Sequence, residues 1–399
     1  MVLLMLSGLV PIAAQTTISP SNPAQRMALR PPDSLNATAF DHFYNLDYDK
    51  SVEEFDQILQ RHPDDPFAVN HFMGALLYQE LYRLNLLNTG EYAHDNFIKA
   101  SHRPPDPKFQ EQFQGLVQRA FKLEDERLSA DPNDIDALYA RGVTRAQFAV
   151  YTGLMLRAWI SALRNAVGAR RDEERVLELT PQTVQAKLIV GTHLYVLGSL
   201  SWSLRTAGSM FGLGGNKEKG LEYLREVADG PGETSGDAKI LLVLFLRRER
   251  RFQEALPIAR SLIASYPRNV LMALEEGNLL RELGHNDEAA AAYRQVYQAG
   301  MEGHYGSLHY EIAALSLGEL LRDEKDCAGA AVAYEQVNAV AHPEQDVLQK
   351  ADLGAGEMYD RLQKRDLAVK KYKAVIAVDG KSKLAEMAGE YLKEPYKGE

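Results

Sequence analysis

From Val270 to Gln298 the chain reads VLMALEEGNLLRELGHNDEAAAAYRQVYQ. Leu274, Gly277, Leu280 and Leu283 recur at helical spacing, Gly284-His285-Asn286-Asp287 breaks the run, and Ala289, Tyr293 and Val296 resume it. The pattern predicts two antiparallel helices joined by a tight turn. Small Gly277 and Ala289 fall where the two backbones must approach, and Leu280 and Tyr293 fill the space around them. One such hairpin cannot bury its own apolar face, so it needs neighbours.

The neighbours are present in the pattern. Thirty-four residues before Ala289 lies Ala255, in a second helix closed by Pro267. Later copies place Leu317-Gly318, Leu321, Ala330 and Tyr334 in one hairpin, and Gly356, Tyr359, Ala368 and Tyr372 in the next. Earlier copies are looser: Asp49–Phe55 leads to Pro63, Tyr139 and Gly142 follow Pro132, and Gly191 follows Pro181. A period near 34, small residues on each helix and a closing proline resemble the tetratricopeptide repeat. That resemblance covers about Ser34 to Ala377 and departs from the family before Pro181, where insertions lengthen the hairpins. It implies an all-α fold, a right-handed α-solenoid of stacked hairpins with insertions and a C-terminal capping helix.

The predicted organisation has five parts. Residues 1–14 (MVLLMLSGLVPIAA) form a short apolar run ending in small Ala13-Ala14, as a cleaved secretory signal does, although its start carries no Lys or Arg. Residues 15–33, rich in Pro, Ser, Asn and Thr, read as a disordered spacer. Residues 34–230 are divergent hairpins with insertions, 231–380 the regular array, and 381–399 a capping helix and tail. A repeat array of this length is expected to be one elongated solenoid.

Charge and cysteine content narrow the chemistry. A net charge of −10 argues against nucleic acid as a partner, since phosphate neutralisation needs a basic stripe. The basic cluster Arg247-Arg248-Glu249-Arg250-Arg251 reads as charge matching at a helix C-terminus plus solvation, in preference to a binding patch. Cys327 is the only cysteine, which excludes an intramolecular disulfide and a multi-cysteine metal site. Asp47-Tyr48-Asp49 lacks the alternating oxygen ligands of a calcium loop and reads as a helix N-cap. Glycines before Lys217 lack the Ser or Thr of a phosphate loop, and no Gly-x-Ser-x-Gly elbow occurs. His94 and His102, in the insertion Asn88–Pro107, have no zinc-ligand spacing, and His71, His193, His304 and His309 have no partner at catalytic spacing. No cofactor, metal site or catalytic residue is expected.

Gly191 through Leu224, especially GSMFGLGGNKEKGLEYL, is similar to a stretch of the inclusion-body clearance family of tetratricopeptide proteins. The likeness covers about one hairpin and implies a helical-repeat adaptor with possible membrane association.

If the first helix of each pair lines the concave side, the inward positions of the best copy are Leu271, Leu274, Glu275, Asn278, Arg281 and Glu282, followed by Ile312, Leu315, Ser316 and Glu319. A carboxylate clamp of successive Lys and Asn is absent. The central copies are apolar inside, with Tyr139, Leu188 and Tyr195 among the inner positions, and Lys239–Leu246 (KILLVLFL) is apolar all round. Its cover is expected either from the insertions Leu154–Val167 or Leu204–Gly215 folding back, or from a bound hydrophobic peptide or lipid. The leading functional expectation is a non-catalytic scaffold for a protein or peptide partner, exported to the periplasm or medium, with a cytoplasmic location as the alternative. The second is a carrier or sensor of an apolar ligand in the central groove.

Overall fold

A computed structural model describes residues 29–87, 104–199, 214–306 and 309–398. The expected signal, most of the spacer, and most of the two insertions Asn88–Pro107 and Leu204–Gly215 lie outside those residues.

The described chain is helical throughout. Three helices, α1 (Asn36–Tyr44), α2 (Tyr48–Arg61) and α3 (Pro66–Arg83), precede α4 (Pro107–Ala130) and α5 (Ile135–Val150). A π-helical turn at Tyr151–Met155 extends α5 before the chain reverses into α6 (Trp159–Leu179). Next come α7 (Lys187–Gly198), α8 (Lys217–Ala228), α9 (Thr234–Arg248) and α10 (Phe252–Ser265). The remaining helices are α11 (Val270–Glu282), α12 (Asn286–Met301), α13 (Glu311–Asp323), α14 (Cys327–Val337), α15 (Gln345–Arg361), α16 (Arg365–Val378) and α17 (Lys383–Lys393). Each packs on the one before it, as a solenoid requires.

Local sequence explains the element boundaries. Asp65 and Asp106 cap α3 and α4 through main-chain amides, each with proline at the first helical position. Asn269 caps α11 and Ser382 caps α17 in the same manner. Inside the regular hairpins one relationship recurs. Gly277 faces the Tyr293 ring, Gly318 faces Tyr334, and Gly356 faces Tyr372, each so closely that a Cβ would sit 2.5 Å from a ring carbon. Tyr293, Tyr334 and Tyr372 are buried, and the missing glycine side chain lets each ring wedge between the paired helices.

The array is not an open, elongated spiral. α1–α3 fold back onto helices about two hundred residues away. The Tyr44 hydroxyl donates to the Glu233 carbonyl at 2.7 Å, and the Tyr44 ring stacks on Tyr266 with centroids 4.8 Å apart. Asn269 donates to the Tyr44 carbonyl at 2.7 Å, while Arg268 pairs with Asp47 and Asp41. Arg30 reaches Glu233. Tyr48 and Tyr82 enter the same core as α8–α13, with Phe43, Leu46 and Tyr78 packed against it. This closure corrects the expectation of an elongated solenoid: a repeat period specifies nearest-neighbour stacking, but not how far the superhelix turns before its ends meet.

The closure also shields α9. Leu242, Val243, Phe245 and Leu246 are buried, and Ile240, Leu241 and Leu244 are half-buried against that same core. Tyr44 of α1 sits against Gly236 at the start of α9, and Tyr48 and Tyr82 join the core that α9 enters, a contribution neither expected source anticipated. Met155 and Leu154, from the expected fold-back segment, pack instead with Phe113 and Tyr151 in the core of α1–α5. Two smaller expectations are corrected with them. Asp47 stands at the N-cap of α2, but its carboxylate makes no cap hydrogen bond and turns to Arg268. Arg247 is no solvated helix-end charge, because it forms an ion pair with fully buried Glu275 at 2.9 Å.

Candidate functional site

The regular array carries a groove across the ends of three hairpins. Its floor is Leu315 of α13 with Leu353 and Gly354 of α15, and Leu384 and Met387 of α17 close one side. Glu319, Arg322, Lys350 and Glu357 line it with charge of both signs around a cavity of about 200 Å³. Tyr334 lies directly beneath Gly354, where a Cβ would come 2.7 Å from the ring, so glycine here deepens the groove by one side chain. Burial pushes the Glu357 carboxyl up, with the Arg322 guanidinium pulling it the other way.

The expected contact residues are divided by the structure. Leu271, Leu274 and Glu275 are buried. Glu275 and Asn278 belong to a network in which Arg247 pairs with Glu275, Asn278 donates to Glu275 at 3.3 Å, and the Tyr293 hydroxyl donates to Asn278 at 2.8 Å. The network ties α9, α11 and α12 together. Arg281 pairs with Glu319 and Asp323 of α13, while Glu282 is exposed. Tyr139 is buried beside Phe67, and Tyr195 stacks on Phe245 with centroids 3.8 Å apart. Leu188 is half-buried against the central core. Most of these inner positions therefore couple one repeat to the next.

Arg322, Lys350, Leu353, Glu357, Leu384 and Met387 were not among the expected contacts. Their signal is the repeat register. Counting from Gly277, Gly318 and Gly356, the expected Leu274, Asn278 and Arg281 become Leu315, Glu319 and Arg322 one copy later, and Leu353 and Glu357 occupy the first two positions two copies later. The groove opens where these positions no longer meet a buried partner such as Arg247.

Of the four histidines weighed as bases, His193 and His309 are buried and His71 is partly so. His71 lies edge-on to Phe40, and burial lowers its pKa to about 3. Burial, aided by Arg170, lowers His193 to about 4. His304 contacts the Pro267 carbonyl at 3.1 Å. Among the described residues no group of three or more His, Cys, Asp or Glu could hold a metal ion, and no helix is long and apolar enough to cross a membrane.

No protein-family model matches the chain, and no curated protein matches it. Solved structures do. The chain is similar to a tetratricopeptide repeat protein from Parabacteroides merdae at 14% identity, covering 90% of this chain and 96% of that one with a TM-score of 0.28. It is also similar to the APC/C hetero-tetramer Cut9–Hcn1 at 12% identity, covering 87% of this chain and 52% of that one with a TM-score of 0.43. A third is the human IFIT1 dimer solved with m7Gppp-AAAA, at 13% identity, 90% and 79% coverage and a TM-score of 0.41.

The fold is a tetratricopeptide-type α-solenoid. The hairpin succession and the three glycine–tyrosine wedges show this in the chain itself. None of the comparisons shows the inclusion-body clearance likeness of Gly191–Leu224, of which residues 200–213 lie outside the described part.

Proposed function

We propose that this protein is a non-catalytic scaffold that holds an extended segment of a protein partner in the groove between α13, α15 and α17. The observation that carries the reading is the pairing of an apolar floor, Leu315 and Leu353, with charged side chains of both signs at Glu319, Arg322, Lys350 and Glu357. Such a groove accepts one apolar anchor and orients the flanking residues by charge. Nucleic acid is not the expected occupant, because acidic side chains share the walls and the chain carries a net −10.

A photo-crosslinking residue at Met387 tests the reading. It should capture a partner in the native host, and a peptide from that partner should bind purified protein but not Arg322→Glu/Lys350→Glu. Capture unaffected by these reversals, or no adduct at all, would overturn the groove assignment. The apolar-carrier alternative has less support, since the apolar side chains of α9 are already buried or half-buried in a core shared with Tyr48 and Tyr82. We also propose export, on the strength of MVLLMLSGLVPIAA alone. N-terminal sequencing of the protein made from the full chain should find a start near Gln15 in an exported fraction, and an intact Met1 in the cytosol would refute it.

A further inference from the structure

Trp159, Ile160 and Leu163 follow one another at helical spacing on the first turns of α6, Leu156 lies just before them at the end of the π-helical turn, and all four are exposed, Ile160 to 80%. With Val196 on the adjoining α7, they make up five of the eight large apolar side chains that stand exposed among the described residues. The other three, Met301, Val332 and Leu367, are scattered singly on other helices, as is normal for a soluble surface. A local cluster of this kind marks an interaction surface.

Charge around the cluster is unlike that of the rest of the chain. From Ala137 to Arg171 there is no Asp or Glu but six arginines, in a protein whose net charge is −10. Arg141 and Arg145 both pair with Asp172, Arg141 also with Asp125, and Arg170 pairs with Glu174. Arg164 and Arg171, seven residues apart on α6, lie beside the apolar stripe and are exposed, and Arg157 stands in the turn before it. α7 contains no acidic residue either.

The local fold holds this edge in place. The π-helical turn ends with Leu156 N–H donating to the Tyr151 carbonyl, and Arg157 takes a left-handed conformation with φ +53°. Ala158 N–H then donates to the Thr152 carbonyl at 2.8 Å. Trp159 lies across Gly153, where a Cβ would meet its ring at 3.7 Å, and the indole remains 43% exposed.

We infer that the start of α6 docks on an anionic lipid surface, with Trp159, Ile160 and Leu163 entering the headgroup boundary and Arg164 and Arg171 meeting lipid phosphates. An apolar stripe flanked by arginine, with an indole at its margin, is the arrangement that lies in a membrane interface. A second copy of the chain fits less well, because a two-fold contact through this patch would set each arginine row near its own copy.

The test uses purified full-length protein carrying Trp202→Phe, which leaves Trp159 as the only tryptophan. Vesicles of mixed phosphatidylcholine and phosphatidylglycerol should sediment the protein and shift its emission to the blue, and phosphatidylcholine alone should do neither. Ile160→Asp should abolish sedimentation without changing the melting temperature, since the side chain is exposed. Arg164→Glu/Arg171→Glu should weaken it by about tenfold or more, as should added salt. Failure to sediment on anionic vesicles, or sedimentation that Ile160→Asp leaves intact, would overturn the inference. So would a self-associated species that Ile160→Asp dissociates, or retention of an acidic protein by the patch, in a protein that ignores vesicles.

Discussion

His309 donates from Nε2 to the main-chain carbonyl of Tyr82, 2.8 Å away and 227 residues earlier in the chain, and the two rings meet edge to face at 4.6 Å. The contact is buried, and Nδ1 is enclosed without a partner, so the neutral Nε2–H tautomer is the form that fits. Burial holds the imidazole below its usual pKa, although the Tyr82 carbonyl favours the charged form. This pair pins the start of α13 to the end of α3. His309→Ala removes one of two hydrogen bonds to the Tyr82 carbonyl, which still accepts from Asn85 N–H, and empties a buried site, so it should destabilise the fold by about 1–3 kcal/mol. Thermal or urea unfolding checks this, and His309→Gln, which can still donate, should recover part of the loss.

The three glycine–tyrosine wedges give a second expectation. Alanine at Gly277, Gly318 or Gly356 would place a methyl group 2.5 Å from a buried ring. Each substitution should cost about 1–3 kcal/mol by overpacking. Alanine at Gly115, where no atom lies within reach of a Cβ, should not destabilise the helix and serves as the control. Equal melting temperatures for all four variants would refute the wedge.

Hairpin turns supply a stabilising prediction. Gly284 has φ +77°, and at corresponding turns Arg250, Lys325 and Gln363 adopt φ of +57°, +69° and +57°. The repeat geometry imposes the left-handed conformation whether or not glycine is present. Lys325→Gly should relieve strain of about 1 kcal/mol, partly offset by greater freedom of the unfolded chain. Chemical denaturation should show a raised midpoint, and a lowered midpoint would refute the strain.

A buried carboxyl makes stability depend on pH. Desolvation pushes Glu124 up to about 7, opposed by its hydrogen bond with Thr144 at 2.6 Å. When protonated, Glu124 can donate to Thr144, Thr144 to Asn70, and Asn70 to the Ala140 carbonyl, which completes a buried chain. Because the folded pKa is raised, its contribution is fully present below the unfolded value near 4.5 and is lost as pH rises through about 7. Glu124→Gln removes that loss. Its stability relative to the parent should therefore climb between acidic and mildly alkaline pH by on the order of 1–3 kcal/mol. A flat difference across that range would show that Glu124 does not titrate in the folded state. Measuring the difference between variants separates it from His71 and His193, whose lowered pKa values act in the opposite direction as pH falls below about 6.5.

The chain by itself determined the hairpins. Gly277, Ala289 and Tyr293 are spaced by the geometry of two packed helices, so their identities reveal the contact, and later copies repeat them. It also contained the groove in coded form, because Leu315, Glu319 and Arg322 stand in the register of Leu274, Asn278 and Arg281. Only the tertiary structure decided which inner positions stay open. Glu275 and Asn278 are polar and inward-facing, but Arg247 and Tyr293 engage them from neighbouring helices. The closure of α1–α3 on α9–α13 was likewise invisible in the pattern. Tyr44, Tyr82, Asn269 and His309 have no shared spacing, and their contacts depend on the accumulated rotation of every intervening hairpin. Periodicity encodes what a repeat does to its neighbour, and long-range contacts arise from the sum of all those steps.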